Sequence, residues 1–448
     1  MKPIIPIMAL SVCLSYTACH NPNKQVHTTA DTLSTEAMLD SVQYRSFLYF
    51  WEGGKPYQGM APERIHLDGG YPTHESGIVT SGGTGFGIMA LLTGMHRGWI
   101  SAEEGYKRLE EITTFIEQAD KFHGAMPHWW QANNKQGIPF GTMDDGADLQ
   151  ETALLMQGIL CAAQFYAGGT AQEQQLAERM EQLWKNVEWN FFRQGDKQVL
   201  YWHWSPKYKW QMNFPVRGYN ECLIMYLLAA SSPTHGIPAS VYHEGWAENG
   251  SIIEPHLVEG IPLHLKYQGG DAGPLFWAHY SFLGLDPRGL KDQYCSDYYQ
   301  EMRNLTLVNR AYCIRNPHKW KGIGADCWGL TASYSMNGYY AHAPNVNDDK
   351  GVISPTAALS SIVYTPKQSL QVMRHLLNMG DKTWGKYGFY DAFSPSADWY
   401  PKRYLAIDQG PIVIMIENHR TAFLWRLFMS HPDIKQGLHK LGFTTPDN

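Results

Sequence analysis

Apolar positions recur with a helical period in about a dozen stretches of this chain, at 34–50, 84–97, 102–122, 146–166, 171–193, 218–231, 275–283, 293–311, 328–336, 354–378, 408–417 and 420–430. Ser101 ahead of Ala-Glu-Glu and Pro366 ahead of Lys-Gln-Ser-Leu give clear start signals. Two stretches, Cys222 to Ala230 and Ile412 to Ile416, are apolar on every side and are expected to lie inside the molecule. Loops rich in Gly, Pro, Trp and Asn separate the helices at 52–83, 123–145, 202–217, 312–327 and 385–407. Strand signals are sparse; Val199 to Trp204 is expected to pair with Lys209 to Phe214 over a Ser-Pro-Lys-Tyr turn. Short turns alternating with long decorated loops predict an all-α fold, six helical hairpins closed into an (α/α)6 barrel with its long loops forming a cleft at one end. An open α-solenoid is the alternative, although no fixed-period repeat supports it.

The first 19 residues read as an export signal: Lys2, an apolar run from Ile4 to Leu14, then Thr17-Ala18-Cys19. A small residue before cysteine resembles a bacterial lipoprotein cleavage site, which would make Cys19 the lipid-modified N-terminus. Tyr16, where Leu is usual, keeps ordinary secretion as the rival. Residues 20–33 form a polar tether, and 34–448 are expected to be one domain, lipid-anchored in the periplasm or at the outer membrane. A monomer is expected. The remaining cysteines (161, 222, 295, 313 and 327) show no CxxC pairing; buried thiols are expected, with one bridge among Cys295, Cys313 and Cys327 as the alternative.

Composition narrows the chemistry. Charged residues make up only 17% and aromatics 13%, including 26 Tyr and 16 Trp, rings suited to a groove that binds something with apolar faces and many hydroxyls. A net charge of −6 without a basic run speaks against a nucleic-acid partner. The 19 His include no HExxH or metal-spaced pair, so no metal and no cofactor are expected. Gly82-Gly83-Thr84-Gly85-Phe86-Gly87 lacks the Lys and preceding strand of a phosphate loop and is read as tight helix packing.

Against that background, Asp144, Asp145, Asp148 and Glu151 stand out at the mouth of an apolar helix. Spacings of four and three would put Asp144, Asp148 and Glu151 on one helical face. Capping accounts for Asp144 or Asp145 but poorly for Glu151. Glu221 enters a helix apolar enough to be buried, which would raise its pKa as a general acid requires; an ion pair with Arg217 is the alternative. Asp408, between Ala-Ile and Gly-Pro, is either a helix cap or a catalytic carboxylate at the cleft floor. Trp51, Trp129, Trp130, Trp202, Trp328 and Trp399 are the possible sugar-stacking platforms. Carboxylates among aromatic rings are the equipment for holding and cleaving carbohydrate.

Several motifs together resemble the bacterial glucoamylase-like domain: Phe-Leu-Tyr-Phe-Trp-Glu-Gly (47–53), Gly-Gly-Thr-Gly-Phe-Gly-Ile-Met-Ala (82–90), Arg97-Gly98-Trp99-Ile100, Pro-His-Trp (127–129), the Asp144–Glu151 cluster, Tyr-Asn-Glu (219–221) and Ala-Ile-Asp-Gln-Gly-Pro-Ile (406–412). The chain is most similar to glycoside hydrolase family 144. The resemblance implies an (α/α)6 barrel and an anomer-inverting hydrolase of β-1,2-glucan that releases sophorose or longer oligosaccharides. It also implies Glu221 as general acid, Asp408 as general base, and Asp144, Asp148 and Glu151 as ligands of sugar hydroxyls or water. A non-catalytic glycan-binding lipoprotein and a hydrolase of another glucan are the rival readings.

Overall fold

The computed structural model describes residues 32–69 and 77–446. The expected export signal, Cys19 and the tether up to residue 31 lie outside the described residues. Among the described residues are thirteen α-helices: α1 (Thr35–Trp51), α2 (Ser81–His96), α3 (Ala102–Gln118), α4 (Leu149–Tyr166), α5 (Ala171–Lys185), α6 (Leu223–Ser231), α7 (Phe276–His279), α8 (Tyr298–Arg315), α9 (Pro355–Leu359), α10 (Pro366–Asn378), α11 (Ala406–Thr421), α12 (Phe423–Ser430) and α13 (Pro432–Lys440).

Two kinds of helix alternate along the chain. Helices α2, α4, α6 and α11 are buried on nearly every side, as their unbroken apolar sequences require. Helices α3, α5, α10 and α13 bury a single stripe, such as Leu109, Ile112, Phe115 and Ile116 on α3. Helix α2 packs on α4 and α11, and α4 carries α5 on its outer side. The glycine run of α2 makes this approach possible. A Cβ on Gly85 would stand 2.2 Å from the Leu154 carbonyl oxygen, and one on Gly158 would stand 2.2 Å from that of Gly85.

Short antiparallel strands lead into three of the inner helices: Ile78–Thr80 into α2, Ala147–Asp148 into α4 and Arg403–Leu405 into α11. They pair with Trp129–Gln131, His203–Trp204 and Arg64–His66, respectively. The N-termini of α2, α4 and α11 are thereby tied to the loops that decorate them.

Several expected elements are corrected. Residues 328–336 are not helical: Gly329 at φ +137° breaks the chain, and Ala332–Ser335 forms a hairpin with Gly338–Ala341. The stretch 354–378 divides into α9, a 3-10 turn at Ser360–Val363 and α10, because Pro366 disfavours helical geometry at Thr365. The expected 199–214 hairpin is a looped excursion. Trp202 N–H donates to the Phe214 carbonyl at 3.0 Å and Ser205 bridges Lys209, but the regular strand His203–Trp204 pairs with Ala147–Asp148 instead. Ile253–Val258 and Ile261–Leu265 form a further hairpin that no sequence pattern announced, turning at Glu259-Gly260, both at positive φ. Cys161, Cys222, Cys295, Cys313 and Cys327 are all free and buried, so no bridge joins 295, 313 and 327.

Candidate active site

A cavity of about 790 Å³ lies where the strand-led helix ends meet, and Glu63, Glu151 and Glu221 open onto it among Trp129, Trp202, Phe276, Tyr280, Tyr334, Tyr339 and Trp399. Each acid reaches it by a different route.

Helix α4 begins at Leu149, so Asp144, Asp148 and Glu151 do not share a helical face as their spacing predicted. Asp144 sits in a turn bridged to Gly141, Asp148 is the N-cap, and Glu151 lies in the first turn. The cap oxygen of Asp148, Oδ1, accepts from Glu151 N–H and from the Trp202 indole N–H, each at 2.9 Å. Its other oxygen meets His128 Nδ1 at 3.0 Å and His203 Nε2 at 3.6 Å, and Asp144 Oδ2 lies 3.4 Å from His203 Nε2. Burial opposes charge on both imidazoles, but for His128 the carboxylates Glu151, Asp148 and Asp144 outweigh it and raise the pKa to about 10. Asp144 and Asp148 do the same for His203, raising it to about 9. Burial works against the Asp148 charge as well, yet hydrogen bonds from His128 and His203 hold its carboxyl well below the usual range. The four groups form a charge-compensated cluster of two imidazoliums and two carboxylates. His128, Asp144 and Asp148 also place one ligand atom each within 4.8 Å of one another, but a cation there would first have to displace protons that both imidazoles hold tightly.

Glu151 Oε2 accepts from the Gly82 N–H at 2.9 Å, and a Cβ on Gly82 would lie 2.4 Å from that oxygen, so this glycine makes room for the acid. Burial pushes the Glu151 carboxyl up to about 7, with His128 pulling it down and Asp148 adding to the rise.

Glu221 lies in an irregular turn just before α6, where Asn220 Oδ1 accepts the Cys222 N–H and delays the helix. The alternative of an ion pair with Arg217 does not hold: that guanidinium donates to the carbonyls of Glu244 and Gly245. Burial pushes the Glu221 carboxyl up to about 8, and the charges of Asp148 and Glu151 reinforce the shift. It therefore keeps its proton at neutral pH.

Asp408 is the third residue of α11, whose N-cap is Leu405, so it is not a cap. It is 2% exposed and stands behind the cavity wall beside Tyr280 and Tyr339, both of which feel its charge. Burial, then the charge of Asp391, raises its pKa well above the carboxylate range. Glu417, at the other end of α11, is engaged with Gln43, Arg97 and Thr421.

The aromatic candidates divide. Trp129, Trp202 and Trp399 line the cavity. Trp130 does not: adjacent strand residues face opposite ways, and its fully buried ring donates to the Asp120 carbonyl at 3.0 Å. Trp51 is away from the cavity under the Arg108 guanidinium, 4.4 Å from its ring centre, and Trp328 is plain core. Sequence reasoning missed His128, His203, Glu63 and Asp391. Pro-His-Trp at 127–129 and Trp-His-Trp at 202–204 were the signals available for the two histidines.

A family model described as "Putative glucoamylase" matches residues 213–432. A "putative glucoamylase" from Bacteroides caccae is 66% identical, with 92% of this chain and 100% of that chain covered and a TM-score of 0.91. An endo-β-1,2-glucanase from Chitinophaga pinensis, solved with sophorotriose and glucose, is 57% identical over 92% of this chain and 99% of that one, also with a TM-score of 0.91. An exo β-1,2-glucooligosaccharide sophorohydrolase (non-reducing end) of Parabacteroides distasonis is 39% identical over 439 residues, which are 94% of this chain. The chain spans about 60% of that relative's length.

Proposed function

Because the chain belongs to the bacterial glucoamylase-like family of glycoside hydrolases, we propose that it cleaves β-1,2-glucan to sophorose or β-1,2-linked glucooligosaccharides with inversion at the anomeric carbon. The observation that carries this reading is Glu221, a carboxylic acid that keeps its proton at neutral pH and opens on an aromatic-lined cavity of about 790 Å³. In the proposed reaction Glu221 protonates the glycosidic oxygen as its bond to the anomeric carbon breaks. Asp408 takes a proton from the water that attacks the opposite face of the sugar. Glu151 binds sugar hydroxyls or water at the cavity wall, with Asp144 and Asp148 behind it holding His128 in place. Inversion requires the acid and base carboxyls to stand about 6.5–9.5 Å apart with room for that water.

The alternation of enclosed and amphipathic helices supports an (α/α)6 barrel with the cleft at the N-terminal ends of its inner helices. The signal-like N-terminal run and Cys19 support export and lipid anchoring, with the enzyme acting on glucan at the periplasmic or outer-membrane face. Incubation of the purified protein with linear β-1,2-glucan, laminarin and soluble starch, followed by product sizing over time, tests the substrate. β-1,2-linked products from the first substrate alone are expected. Turnover of starch without turnover of β-1,2-glucan would contradict the reading, and silence on all three would favour a glycan-binding protein.

A further inference from the structure

The cavity wall conceals a second carboxyl against Asp408. Asp391 lies in the loop after Gly388–Phe389, where its backbone N–H donates to the Arg403 carbonyl at 2.9 Å and its Oδ2 accepts the Tyr334 N–H at 2.7 Å. That anchoring turns its side chain onto Asp408, in the first turn of α11, and the two carboxyls are in hydrogen-bond contact. Both residues are 2% exposed. Each has one oxygen sealed from solvent with no N–H or O–H donor: Oδ1 of Asp391 and Oδ2 of Asp408. Two such oxygens cannot both be anionic and unpaired, because a buried carboxylate without a partner is among the costliest arrangements in a protein interior. A single proton shared between the two carboxyls removes that cost.

The geometry points to Asp391 as the proton-sharing partner of the base, so that Asp391 and Asp408 work as one acid–carboxylate pair. The inference rests on the assignment of Asp408 as general base. As water attacks, its O–H bond breaks and the proton joins Asp408, while the proton Asp408 already holds passes to the Asp391 carboxylate. The hydroxide oxygen bonds to the anomeric carbon, and the leaving oxygen takes the Glu221 proton, so charge and protons balance. Asp391 thus lets Asp408 act as a base although it is protonated at rest, and it is a positioning residue rather than one that touches substrate. The charged and titratable groups facing the pair are Glu63 and Arg64 from the strand segment opposite, and Tyr280 and Tyr339 from the cavity wall.

In the wild type the working base is the singly protonated pair, whose acid limb reports uptake of a second proton, whereas in Asp391→Asn the lone buried Asp408 must itself be ionised to act. Asp391→Asn is expected to lower kcat on β-1,2-glucan about tenfold and to move the acid limb of the kcat–pH profile up by about one unit or more. Asp408→Asn is expected to lose about a thousandfold at every pH. An unmoved acid limb in folded Asp391→Asn overturns the pairing. Near wild-type turnover in Asp408→Asn instead removes the base assignment itself, so the two failures are distinguishable. Infrared difference spectra of the wild-type enzyme labelled with carboxyl-¹³C aspartate give a readout independent of activity and of any variant's folding. A protonated aspartate carbonyl band at neutral pH is expected, and its absence overturns the inference.

Discussion

Glu221→Gln is expected to lower kcat on β-1,2-glucan by about three orders of magnitude, the middle of the range for losing a positioned general acid. The fold should survive intact. At neutral pH the wild-type side chain is already uncharged, so the amide replaces a neutral group of the same shape. The pKa of Glu221 is raised from its ordinary value to about 8, so its contribution to stability is fully present below the ordinary carboxylate pKa. That contribution is lost as pH rises through about 8, where the wild type must ionise a buried group. The variant has no such penalty, so it should match the wild type below about pH 4.5 and melt increasingly above it as pH rises from there to about 8. Melting curves at several pH values beside turnover assays check both halves. Turnover within tenfold of wild type would remove Glu221 from the chemistry.

The second large effect is on stability. Asp148→Ala removes the cap of α4, worth about 1 kcal/mol, and leaves two buried imidazoliums without their shared carboxylate, a loss of about 3–5 kcal/mol. The variant should unfold at markedly lower urea concentration and lose activity, because His128 and Glu151 depend on the same cluster for position. The wild type carries a matching pH signature. The pKa values of His128 and His203 are raised from their ordinary value to about 10 and about 9, so their stabilisation is complete below about pH 6.5. It drains away between there and about pH 10. Asp148 itself, held low, gives up its share only in strong acid. In Asp148→Ala the alkaline decline should flatten; an unchanged slope would show that the histidines draw their charge from elsewhere.

How much of this was legible before the structure depends on how locally each feature is encoded. The enclosed helices announce themselves because a run such as Leu-Ile-Met-Tyr-Leu-Leu in α6 cannot face water on any side. The caps at Ser101 and Thr170 are likewise complete within four residues. Asp391 meets Asp408 only because its backbone pairs with Arg403, twelve positions along, and nothing in Tyr-Asp-Ala-Phe foretells that. His128 and His203 reach Asp148 by strand pairings of two or three residues, too short to leave a periodic trace. The same brevity hid which face of the 129–131 strand each tryptophan takes. The acids of 144–151 were right as a cluster but wrong as a helix face, because the turn at Asp144 and the cap at Asp148 come before the helix begins.

Proton NMR of the first products released from linear β-1,2-glucan, recorded faster than mutarotation, tests the central claim most directly. An inverting enzyme with Glu221 as acid and Asp408 as base must release the new reducing end as the α-anomer, which then drifts towards equilibrium. Initial appearance of the β-anomer would require a covalent glycosyl-enzyme and carboxyls only about 5 Å apart, and it would contradict the account.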